Sequence, residues 1–253
     1  MIIPVNLPLG SYDITIENGV LKKAGSILNL ERKVLIVTDS GVPAVYAETV
    51  AAACKKAVIA TVDEGEDSKS FRTFEGLCRL LLDEGFTRSD CVVAVGGGVV
   101  GDITGYAAAT YLRGIDFVQV PTTLLAQADS SIGGKTGVDF DGYKNMVGAF
   151  NMPKLVYMNV STLKTLDDRQ FFSGFAEIMK HGLIKDASFY EWLLDKMYEI
   201  CDRDIETLSE MVQRSSLVKK LVVEKDPTEK GDRALLNFGH TIGHAIEKYM
   251  NFS

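Results

Sequence analysis

The pattern of apolar and polar positions changes character about two thirds of the way along the chain. Before that point, residues 12–18 alternate apolar and polar side chains, which predicts a half-buried strand. Residues 33–38 and 91–95 are continuous apolar runs rich in β-branched residues, a pattern typical of buried parallel strands. A further strand is predicted at 117–120, where Pro121 ends it.

Helical stripes separate these strands. Residues 71–82 place apolar side chains on one face of a predicted helix that Gly85 ends, and a helix of small residues is predicted around 104–111. Strands that alternate with helices predict βαβ units and a parallel sheet, so this part of the chain belongs to the α/β class. The apolar stripe of the first helix consists of Phe71, Phe74, Leu77, Cys78, Leu81 and Leu82.

The rest of the chain is predicted to be helical. Two apolar stripes indicate further helices, and Ser188 is placed to cap the first of them. We therefore predict an α/β domain at 1–158 and a helical domain at 159–253. Between Asp129 and Phe150 lies a Gly-rich polar stretch, which we predict to be a long functional loop. The two stripes are Phe189, Trp192, Leu193, Met197 and Ile200, and Leu208, Met211, Val212, Leu221 and Val222.

Composition and charge narrow the classes of function. Lys and Arg number 27 against 34 Asp and Glu in 253 residues, and the net charge of −7 argues against general nucleic-acid binding. A small anionic substrate stays compatible with this charge, because a few convergent cations act locally. The four cysteines form neither a Cys-x-x-Cys pair nor a disulfide framework. Because we find no signal peptide and no apolar run near the ~18 residues of a membrane span, we expect a cytoplasmic protein without membrane contact.

The first candidate motif is the glycine cluster Gly96–Asp102, directly after the predicted strand at 91–95. It satisfies G-x-G-x-x-G at a helix start, where bare backbone and the helix N-terminus favour a pyrophosphate. A tight strand-to-helix turn without a ligand is the alternative. Because the motif lies mid-chain rather than in a first βα unit, an upstream acid such as Glu66 would have to bind the ribose.

Two motifs that contain lysine follow. The segment 133–136 (GGKT) looks like the end of a P-loop, but Asp129 stands where the first glycine belongs, so we reject a P-loop. Lys135 is then either an anion contact or a solvated lysine. Glu177 and Lys180 are spaced i and i+3 on a predicted helix, either as a surface ion pair or as a metal-binding carboxylate beside a substrate lysine.

Two histidines near the C-terminus suggest a metal site. His240 and His244 share one face of a predicted helix, and neutral imidazole is a common zinc ligand. Thr241 excludes the H-E-x-x-H motif of metalloproteases. Core or capping histidines are the alternative. Together with Glu177, one or both histidines would give a carboxylate–imidazole set suited to zinc.

Four blocks of this chain, in order, resemble the 3-dehydroquinate synthase family: GGGVVGDITGYAAATYLRG (96–114), VPTTLLAQADSSIGGKTGVDFDGYKNMVGAF (120–150), GFAEIMKHG (174–182) and RALLNFGHTIGHAIE (233–247). The resemblance runs along the whole chain. It implies a Rossmann-like N-terminal domain with a parallel sheet, an α-helical C-terminal domain and an active site in the cleft between them. It also implies NAD, a divalent metal (usually zinc, with cobalt as the alternative) and a homodimer.

The resemblance implies three groups of site residues. The metal ligands would be Glu177 and His240, and Arg113 would reach the substrate phosphate across a dimer interface. The substrate would contact Asp129, Lys135, Asn145, Lys180, Lys219, Arg233, Asn237 and His244, with His244 as the proton relay near the metal. NAD would contact Glu66, Lys69, Gly97, Gly98, Gly101, Asp102, Thr122, Thr123, Lys135, Lys144, Thr162 and Thr165.

The reaction that the resemblance implies converts 3-deoxy-D-arabino-heptulosonate 7-phosphate to 3-dehydroquinate and phosphate, a step of the shikimate pathway to aromatic amino acids. It would proceed by transient oxidation with NAD, β-elimination of phosphate, reduction and an intramolecular aldol closure. The metal would act as a Lewis acid at the oxidised hydroxyl. Because the hydride returns to the substrate, no net NADH would form.

The sequence departs from the family pattern at its C-terminus. Family members continue further and carry a third metal ligand, a histidine in a His-Gly-Glu context, whereas this sequence stops at Ser253. His181 occupies a non-ligand position of the family pattern. We therefore expect an incomplete helical domain, a weak metal site with two ligands, and exposed apolar surface.

Three alternative functions stay open from the sequence. The first is another sugar-phosphate cyclase, such as a deoxy-inosose or valiolone synthase. The second is a metal-dependent dehydrogenase of alcohols or glycerol phosphate, which would release NADH in proportion to its substrate. The third is an inactive NAD-binding fragment, which would bind the cofactor without turnover.

Overall fold

The computed structural model describes residues 1–19, 21 and 30–250, with the backbone alone at 244, 247 and 248. Within this part of the chain, nine strands form a seven-stranded sheet and a separate two-stranded hairpin. The strands are β1 (Ile2–Val5), β2 (Tyr12–Glu17), β3 (Lys33–Asp39), β4 (Lys56–Val62), β5 (Cys91–Gly96), β6 (Asp116–Pro121), β7 (Lys135–Phe140), β8 (Tyr143–Phe150) and β9 (Leu155–Asn159).

The large sheet has the order β1-β2-β9-β6-β5-β3-β4. All its neighbouring strands are parallel except the edge pair β1–β2. Because β4 and β5 lie on opposite sides of β3, the direction of the chain reverses between β3 and β5. The predicted α/β class with a parallel sheet is therefore confirmed.

Helices cover both faces of the sheet and form most of the chain after β9. None of the described helices is long and apolar enough to cross a membrane. The last helix exposes Ile242, Ile246 and Tyr249 to solvent, in line with the expected exposed apolar surface. The helices are α1 (Ala44–Ala52), α2 (Phe71–Asp83), α3 (Gly98–Thr110), α4 (Asp168–Lys185), α5 (Ala187–Asp195), α6 (Met197–Cys201), α7 (Ile205–Lys225) and α8 (His240–Tyr249).

The buried core positions the helices that carry the site residues. One apolar cluster packs Ile14 of β2 and Val156 of β9 against Phe171 of α4 and Leu208 of α7. Two further clusters fill the opposite faces of the central strands, one with α1 and one with α2 and α3. Burial of these side chains anchors α4 and α7 beside the carboxyl edge of the sheet. The boundary at 158/159 stays a prediction, although β9 ends at Asn159.

The segment from Asp129 to Phe150 is not the long loop that we predicted. Most of it forms the hairpin β7–β8, which is connected by the two residues Asp141 and Gly142. Both connecting residues have positive φ, 52° and 77°, as a type I′ turn requires. Asp-Gly between two strand-like runs is a strong hairpin signal, so the sequence carried the information that we overlooked.

Three smaller predictions about the helices were wrong. Asp186, not Ser188, caps α5, because its carboxylate accepts the backbone N–H of Phe189 at 2.9 Å. Leu82 and Leu221 were assigned to buried stripes but are 67% and 65% exposed. Each lies next to a truly buried residue of its helix, and adjacent helical positions differ by about 100° around the axis.

Candidate functional site

The glycine cluster forms the turn from β5 to α3 at the carboxyl edge of the sheet. α3 begins at Gly98, so the first backbone N–H groups of this 13-residue helix have no intrahelical acceptors. A Cβ added at Gly97 would lie 3.2 Å from the methyl carbon of Thr123, and one at Gly98 would lie 3.1 Å from the hydroxyl oxygen of Ser130. Glycine at these two positions avoids close contacts with Thr123 and Ser130, and the positive end of the helix dipole at this turn favours a phosphate.

This turn lies where the strand order reverses. Ligands of open α/β sheets bind in the crevice at such a point, outside the carboxyl ends of the strands. The adjoining strand β3 ends at Asp39, a residue that the sequence analysis did not select, because its place becomes visible only with the strand order. Burial raises the pKa of the Asp39 carboxyl, although the N–H groups of Gly41 and Val42 donate to it.

Lys69 joins the glycine turn to the hairpin. Its Nζ lies 2.5 Å from Oδ2 of Asp102 in α3 and also contacts the side-chain oxygen of Asn145 in β8. Burial raises the pKa of the Asp102 carboxyl to about 6, against the opposing effect of the Lys69 ammonium. Glu66 and Lys144 lie nearby, with 3.9 Å between Oε1 and Nζ. These predicted contacts of NAD and substrate therefore form one connected group.

The ends of β6 and β9 extend this edge. The backbone N–H of Thr122 donates to the carbonyl of Gly96 at 2.9 Å, and the Thr162 hydroxyl lies 3.2 Å from the carbonyl of Thr122. The Thr165 hydroxyl lies 2.8 Å from the hydroxyl of Tyr46 in α1. The predicted threonine contacts thus share the edge of the sheet with the glycine turn.

A π-helical turn at Ala126–Ser130 carries Asp129 toward the helices. Turns of this kind are frequent at functional sites. Asp129 Oδ1 pairs with the ammonium of Lys219 in α7. Burial opposes ionisation of this carboxyl, but the charge and hydrogen bond of Lys219 and the charge of Lys180 outweigh it and lower the pKa of Asp129. Asp129 is therefore ionised at neutral pH.

Glu177 and Lys180 form a buried pair on α4, which excludes the surface ion pair considered above. Lys180 Nζ contacts Glu177 Oε1 and the carbonyl of Leu236, and it lies 3.5 Å from Nε2 of His240. Glu177 Oε2 lies 3.9 Å from the same nitrogen. Burial and the charge of Asp129 raise the pKa of Glu177. The structure therefore brings together the two predicted metal ligands.

His181, one helical turn after Glu177, is fully buried. Its Nδ1 lies 2.8 Å from Oγ of Ser215 in α7. Among the described residues its Nε2 has no hydrogen-bond partner, and it lies 3.6 Å from Glu177 Oε1 and 3.9 Å from Asp129 Oδ1. Burial lowers the pKa of His181 to about 3, so the ring is neutral at pH 7. Asp129, Glu177 and His181 offer three ligand atoms within 4.8 Å of one another.

Arg233 is buried against the glycine turn that precedes β7. Its guanidinium donates to the carbonyls of Pro227 at 2.6 Å and of Gly133 at 3.3 Å. Gly133 has a φ of +100°, and a Cβ there would lie 2.5 Å from Arg233 Nη2, so the turn requires glycine. The Tyr12 hydroxyl accepts the N–H of Gly133 at 3.0 Å. The turn is thus held from both sides.

Lys135 and Asn237 share a partner that the sequence analysis missed. Glu229 contacts the Lys135 ammonium through Oε2 and accepts the side-chain amide of Asn237 at 3.1 Å through Oε1. Burial acts to raise the pKa of Glu229, but the hydrogen bond and charge of Lys135 outweigh it and lower the pKa. Nothing in the sequence around Glu229 distinguished it from other acids of the chain.

Most of the predicted substrate contacts line one cavity of about 640 Å³. It opens between the hairpin, α7 and the segment before α8. Lysine, arginine and amide side chains face carboxylates across it, an arrangement suited to a polar anionic ligand. The predicted site residues among its lining are Asp102, Asp129, Lys135, Asn145, Lys219, Arg233, Asn237 and His240.

Two predicted site residues, Arg113 and His244, belong to none of the groups described above. Arg113 follows the far end of α3, about 20 Å along that helix from the glycine turn, and has a positive φ of 65°. Its expected role is to reach another copy of the chain, so its remote place does not contradict the prediction. The side chain of His244 lies outside the described residues, and its role as proton relay stays a prediction.

The donors around Glu177 fit a divalent cation. The Lys180 ammonium lies among a carboxylate, a backbone carbonyl and an imidazole, which are the ligand types of a metal ion. Bonds of about 2 Å to zinc join ligand atoms up to about 4 Å apart. Glu177 Oε2 and His240 Nε2, at 3.9 Å, lie just inside this limit, and tetrahedral coordination would require them to approach by about half an ångström.

The sequence matches known proteins of one family along nearly its whole length. The family model of the 3-dehydroquinate synthase N-terminal domain matches residues 59–173, and that of the C-terminal domain matches 174–253. The chain is 48% identical to the 3-dehydroquinate synthase of Acetivibrio thermocellus, over 98% of this chain and 71% of that protein. It is 47% identical to the 3-dehydroquinate synthase of Caulobacter vibrioides, over 99% of this chain and 70% of that protein.

Solved structures of related enzymes share the fold. A 2-deoxy-scyllo-inosose synthase complexed with carbaglucose-6-phosphate, NAD⁺ and Co²⁺ is 27% identical with a TM-score of 0.87, over 98% of this chain and 71% of that one. The 2-epi-5-epi-valiolone synthase of Streptomyces hygroscopicus, with NAD⁺ and Zn²⁺ bound, is 30% identical with a TM-score of 0.85, over 93% of this chain and 67% of that one.

Proposed function

The chain belongs to the 3-dehydroquinate synthase family, and on this premise we propose that it converts 3-deoxy-D-arabino-heptulosonate 7-phosphate to 3-dehydroquinate and phosphate. The observation that carries the proposal is the single cavity in which three cationic side chains lie beside the Glu177–His240 pair. A sugar acid that is also a phosphate ester needs such a set of cations, because it carries an anionic group at each end.

NAD would bind along the carboxyl edge of the sheet. The N-terminus of α3 suits the pyrophosphate, because its free N–H groups and dipole favour negative charge. Asp39 at the end of β3 is placed for ribose hydroxyls, with Glu66 as the second acid near that edge. The other contacts that we propose are Lys69, Gly97, Gly98, Gly101, Asp102, Thr122, Thr123, Lys135, Lys144, Thr162 and Thr165.

Glu177 and His240 would hold the divalent cation, zinc or cobalt. When bound, NAD supplies a transient hydride acceptor, and the cation supplies a Lewis acid for the alcohol oxygen. Lys180 would leave Glu177 when the cation arrives and turn its ammonium to the substrate. The low pKa of Asp129 keeps its carboxylate charged beside Lys219, so the pair orients hydroxyl groups without taking up a proton.

The remaining polar side chains would fix the ends of the substrate. Lys135, Lys219 and Arg233 offer positive charge, and Asn145 and Asn237 offer amides for hydroxyl groups. His244 would relay a proton near the cation, and Arg113 of a second copy in a homodimer would reach the phosphate. A division into domains at 1–158 and 159–253, a place in the shikimate pathway and a cytoplasmic location belong to the same proposal.

The test is a coupled assay of phosphate release and NADH absorbance, with NAD and Zn²⁺ in excess. We expect phosphate from the heptulosonate phosphate and no net NADH, because the hydride returns to the substrate. Lys219→Met should abolish most turnover, since it also leaves Asp129 unpaired. Lys56→Met is the matched control, because Lys56 is an exposed lysine on the edge strand β4.

The same assay separates the rival functions. Phosphate release from glucose 6-phosphate, of which carbaglucose-6-phosphate is a carbocyclic analogue, would reassign the chain to another cyclase. Stoichiometric NADH without phosphate would indicate a dehydrogenase. NAD binding with neither product would contradict catalysis by this chain.

A further inference from the structure

His181 is the one histidine whose environment the proposed function does not use. It lies on α4 one turn after Glu177, with no exposed surface. Each ring nitrogen faces a different surrounding. Nδ1 lies 2.8 Å from the hydroxyl of Ser215, whereas Nε2 points to carboxylate oxygens of Glu177 and Asp129 and has no hydrogen-bond partner in the part of the chain that the structure describes. A buried polar atom without a partner calls for a physical explanation.

The surroundings of the ring decide which nitrogen carries its proton. In a neutral imidazole one nitrogen is N–H and the other is a lone pair. A lone pair on Nε2 would face two carboxylates and be repelled by both. A proton on Nε2 is attracted by both, and the Ser215 hydroxyl can then donate to Nδ1. Electrostatics therefore select the Nε2–H tautomer when no metal ion is bound. The charged groups that face the ring are Asp129, Glu177, Lys180 and Lys219.

The two oxygens of Glu177 are divided between two imidazoles. Oε2 lies toward His240, at 3.9 Å, and Oε1 lies toward His181, at 3.6 Å. A cation between Glu177 and His240 would take Oε2 and displace the Lys180 ammonium from Oε1. Oε1 would then be buried without a donor unless Nε2–H of His181 moves the few tenths of an ångström to reach it. Ligating carboxylates are usually held by such a hydrogen bond to their second oxygen.

We propose that His181, held in its Nε2–H tautomer by Ser215, is a positioning residue that fixes Glu177 as a ligand of the divalent cation. This inference rests on the proposed function, because it assumes that Glu177 binds the cation. The rival assignment makes His181 itself a ligand, with Asp129 and Glu177. Direct ligation needs the Nε2 lone pair, so the two assignments require opposite tautomers.

The first test is ¹⁵N NMR of the histidine rings in the intact chain, before and after addition of Zn²⁺. The chain has only three histidines, so His181→Gln identifies the signals of His181 by their loss. We expect its proton on Nε2 in both states. A proton on Nδ1 in the metal-free protein, or transfer of the proton to Nδ1 with Zn²⁺, would overturn the proposal. This readout needs neither substrate nor turnover.

The second test is the affinity for Zn²⁺, measured by competition with a chelator. His181→Asn places its amide at the Nδ1 position and removes the donor to Glu177, so we expect Zn²⁺ to bind about 10- to 100-fold more weakly. His181→Gln keeps an amide near the Nε2 position and should lose less than about tenfold. Ser215→Ala removes the hydrogen bond at Nδ1 that fixes the tautomer of His181. Its loss of Zn²⁺ affinity should lie between the losses of the Asn and Gln variants. Equal losses for the Asn and Gln variants, or no loss for either, would overturn the proposal.

These results are separable from a failure of the proposed function. If the wild-type chain turns over the heptulosonate phosphate but His181→Asn binds Zn²⁺ normally, only the positioning role fails. If the wild-type chain binds no Zn²⁺ and releases no phosphate while its ¹⁵N spectrum shows the proton on Nε2, the function fails and the proposed link from His181 to a cation fails with it. Circular dichroism of each variant establishes that the helices are intact.

Discussion

The two sides of the candidate site differ in whether backbone groups or charged side chains form them. The cofactor edge, which comprises Gly96–Asp102, Thr122–Thr123 and Thr162–Thr165, is made mainly of backbone at the ends of strands and at a helix N-terminus. The charged side is made of ionisable side chains that are buried or, at Asp129, Glu177 and His240, partly buried, namely Asp129, Glu177, Lys180, His181, Lys219, Arg233 and His240. The first depends on the absence of side-chain atoms, and the second depends on pairs of opposite charge.

Because of this difference, substitutions on the two sides should impair the protein in different ways. Removal of one member of a buried ion pair leaves the other charge uncompensated, at a cost of several kcal/mol. On the charged side, His181 Nε2 and Arg233 Nε are buried without hydrogen-bond partners in the described part of the chain. On the cofactor edge, an added side chain excludes the ligand sterically and leaves the charges unchanged. The two sides should therefore be separable by mutation.

Glu177→Gln should give the largest effect. It removes the carboxylate whose Oε2 lies 3.9 Å from His240 Nε2 and leaves the Lys180 ammonium without its carboxylate partner. We expect the affinity for Zn²⁺ to fall by at least about 100-fold and turnover to fall with it, while NAD affinity stays within a factor of about 2. Chelator competition and NAD fluorescence titration measure the two affinities.

A matched control for this variant is Glu75→Gln, which removes an exposed carboxylate that pairs with Arg79 within α2. It should leave both affinities unchanged, because exposed i, i+4 pairs contribute little. Loss of NAD binding in Glu177→Gln would show that the two sides are not independent.

Arg203 connects the two sides, and its loss should be the next largest effect. Its guanidinium stacks on Phe171 of α4 at 3.9 Å from the ring centroid and donates to the carbonyls of Leu163 and Leu166. It also pairs with Asp168 at 2.7 Å. Arg203→Ala should lower the free energy of unfolding by about 2–4 kcal/mol, because two carbonyls lose a charged donor and an aromatic contact is lost. Urea denaturation measures this.

The backbone of Arg203 offers an internal control. It has a φ of 59° in the left-handed cap after α6, a position that favours glycine. Arg203→Gly should therefore be about 1 kcal/mol more stable than Arg203→Ala, although both lose the guanidinium. If the two variants were equally stable, the side chain would account for the whole effect and the backbone strain for none.

Gly97→Val tests the cofactor edge alone. Its φ of −78° suits any residue, so the variant should fold, but a Cβ would lie 3.2 Å from the Thr123 methyl and should displace the turn that we propose to bind a phosphate. We expect NAD to bind about 10- to 100-fold more weakly and the affinity for Zn²⁺ to stay unchanged. Gly76→Ala is the control, because Gly76 lies within α2 with nothing near its Cβ position. That change should stabilise the fold by about 0.5–1 kcal/mol.

The two sides also differed in how far the sequence predicted them. The glycine turn was placed correctly, because a G-x-G-x-x-G motif after a strand is read from local sequence. Asp39 was missed, because its place beside that turn depends on the order of strands far apart in sequence. On the charged side, the resemblance selected Glu177 and His240, which the structure places together across 63 positions of sequence.

The partners within the charged side could not be predicted from local patterns. Ser215 behind His181 and Glu229 beside Lys135 are ordinary polar residues of the sequence until α7 and the hairpin pack together. The hairpin itself was predictable from Asp141-Gly142 and was overlooked because the surrounding stretch is rich in glycine. The local sequence thus contained enough information to predict the turn, whereas contacts that form only when distant elements pack together could not be predicted from it.

The smallest predicted effect concerns Asp102, a buried carboxyl on the cofactor edge. It tests whether burial or the ion pair with Lys69 determines the pKa of this carboxyl. Burial raises the pKa of Asp102 from 3.8 to about 6. A carboxyl whose pKa is raised by folding contributes stability that is fully present below its unfolded pKa and is lost as pH rises through its folded pKa. The difference in unfolding free energy between wild type and Asp102→Asn should therefore fall by about 1–2 kcal/mol from pH 4 to pH 7.

Urea denaturation across this range measures that difference. Lys69→Met should move the fall to higher pH, because the Lys69 ammonium opposes the rise in the pKa of Asp102. A difference that rises with pH would mean that the ion pair outweighs burial, and the cofactor edge would then match the charged side at Asp129, where the ion pair lowers the pKa.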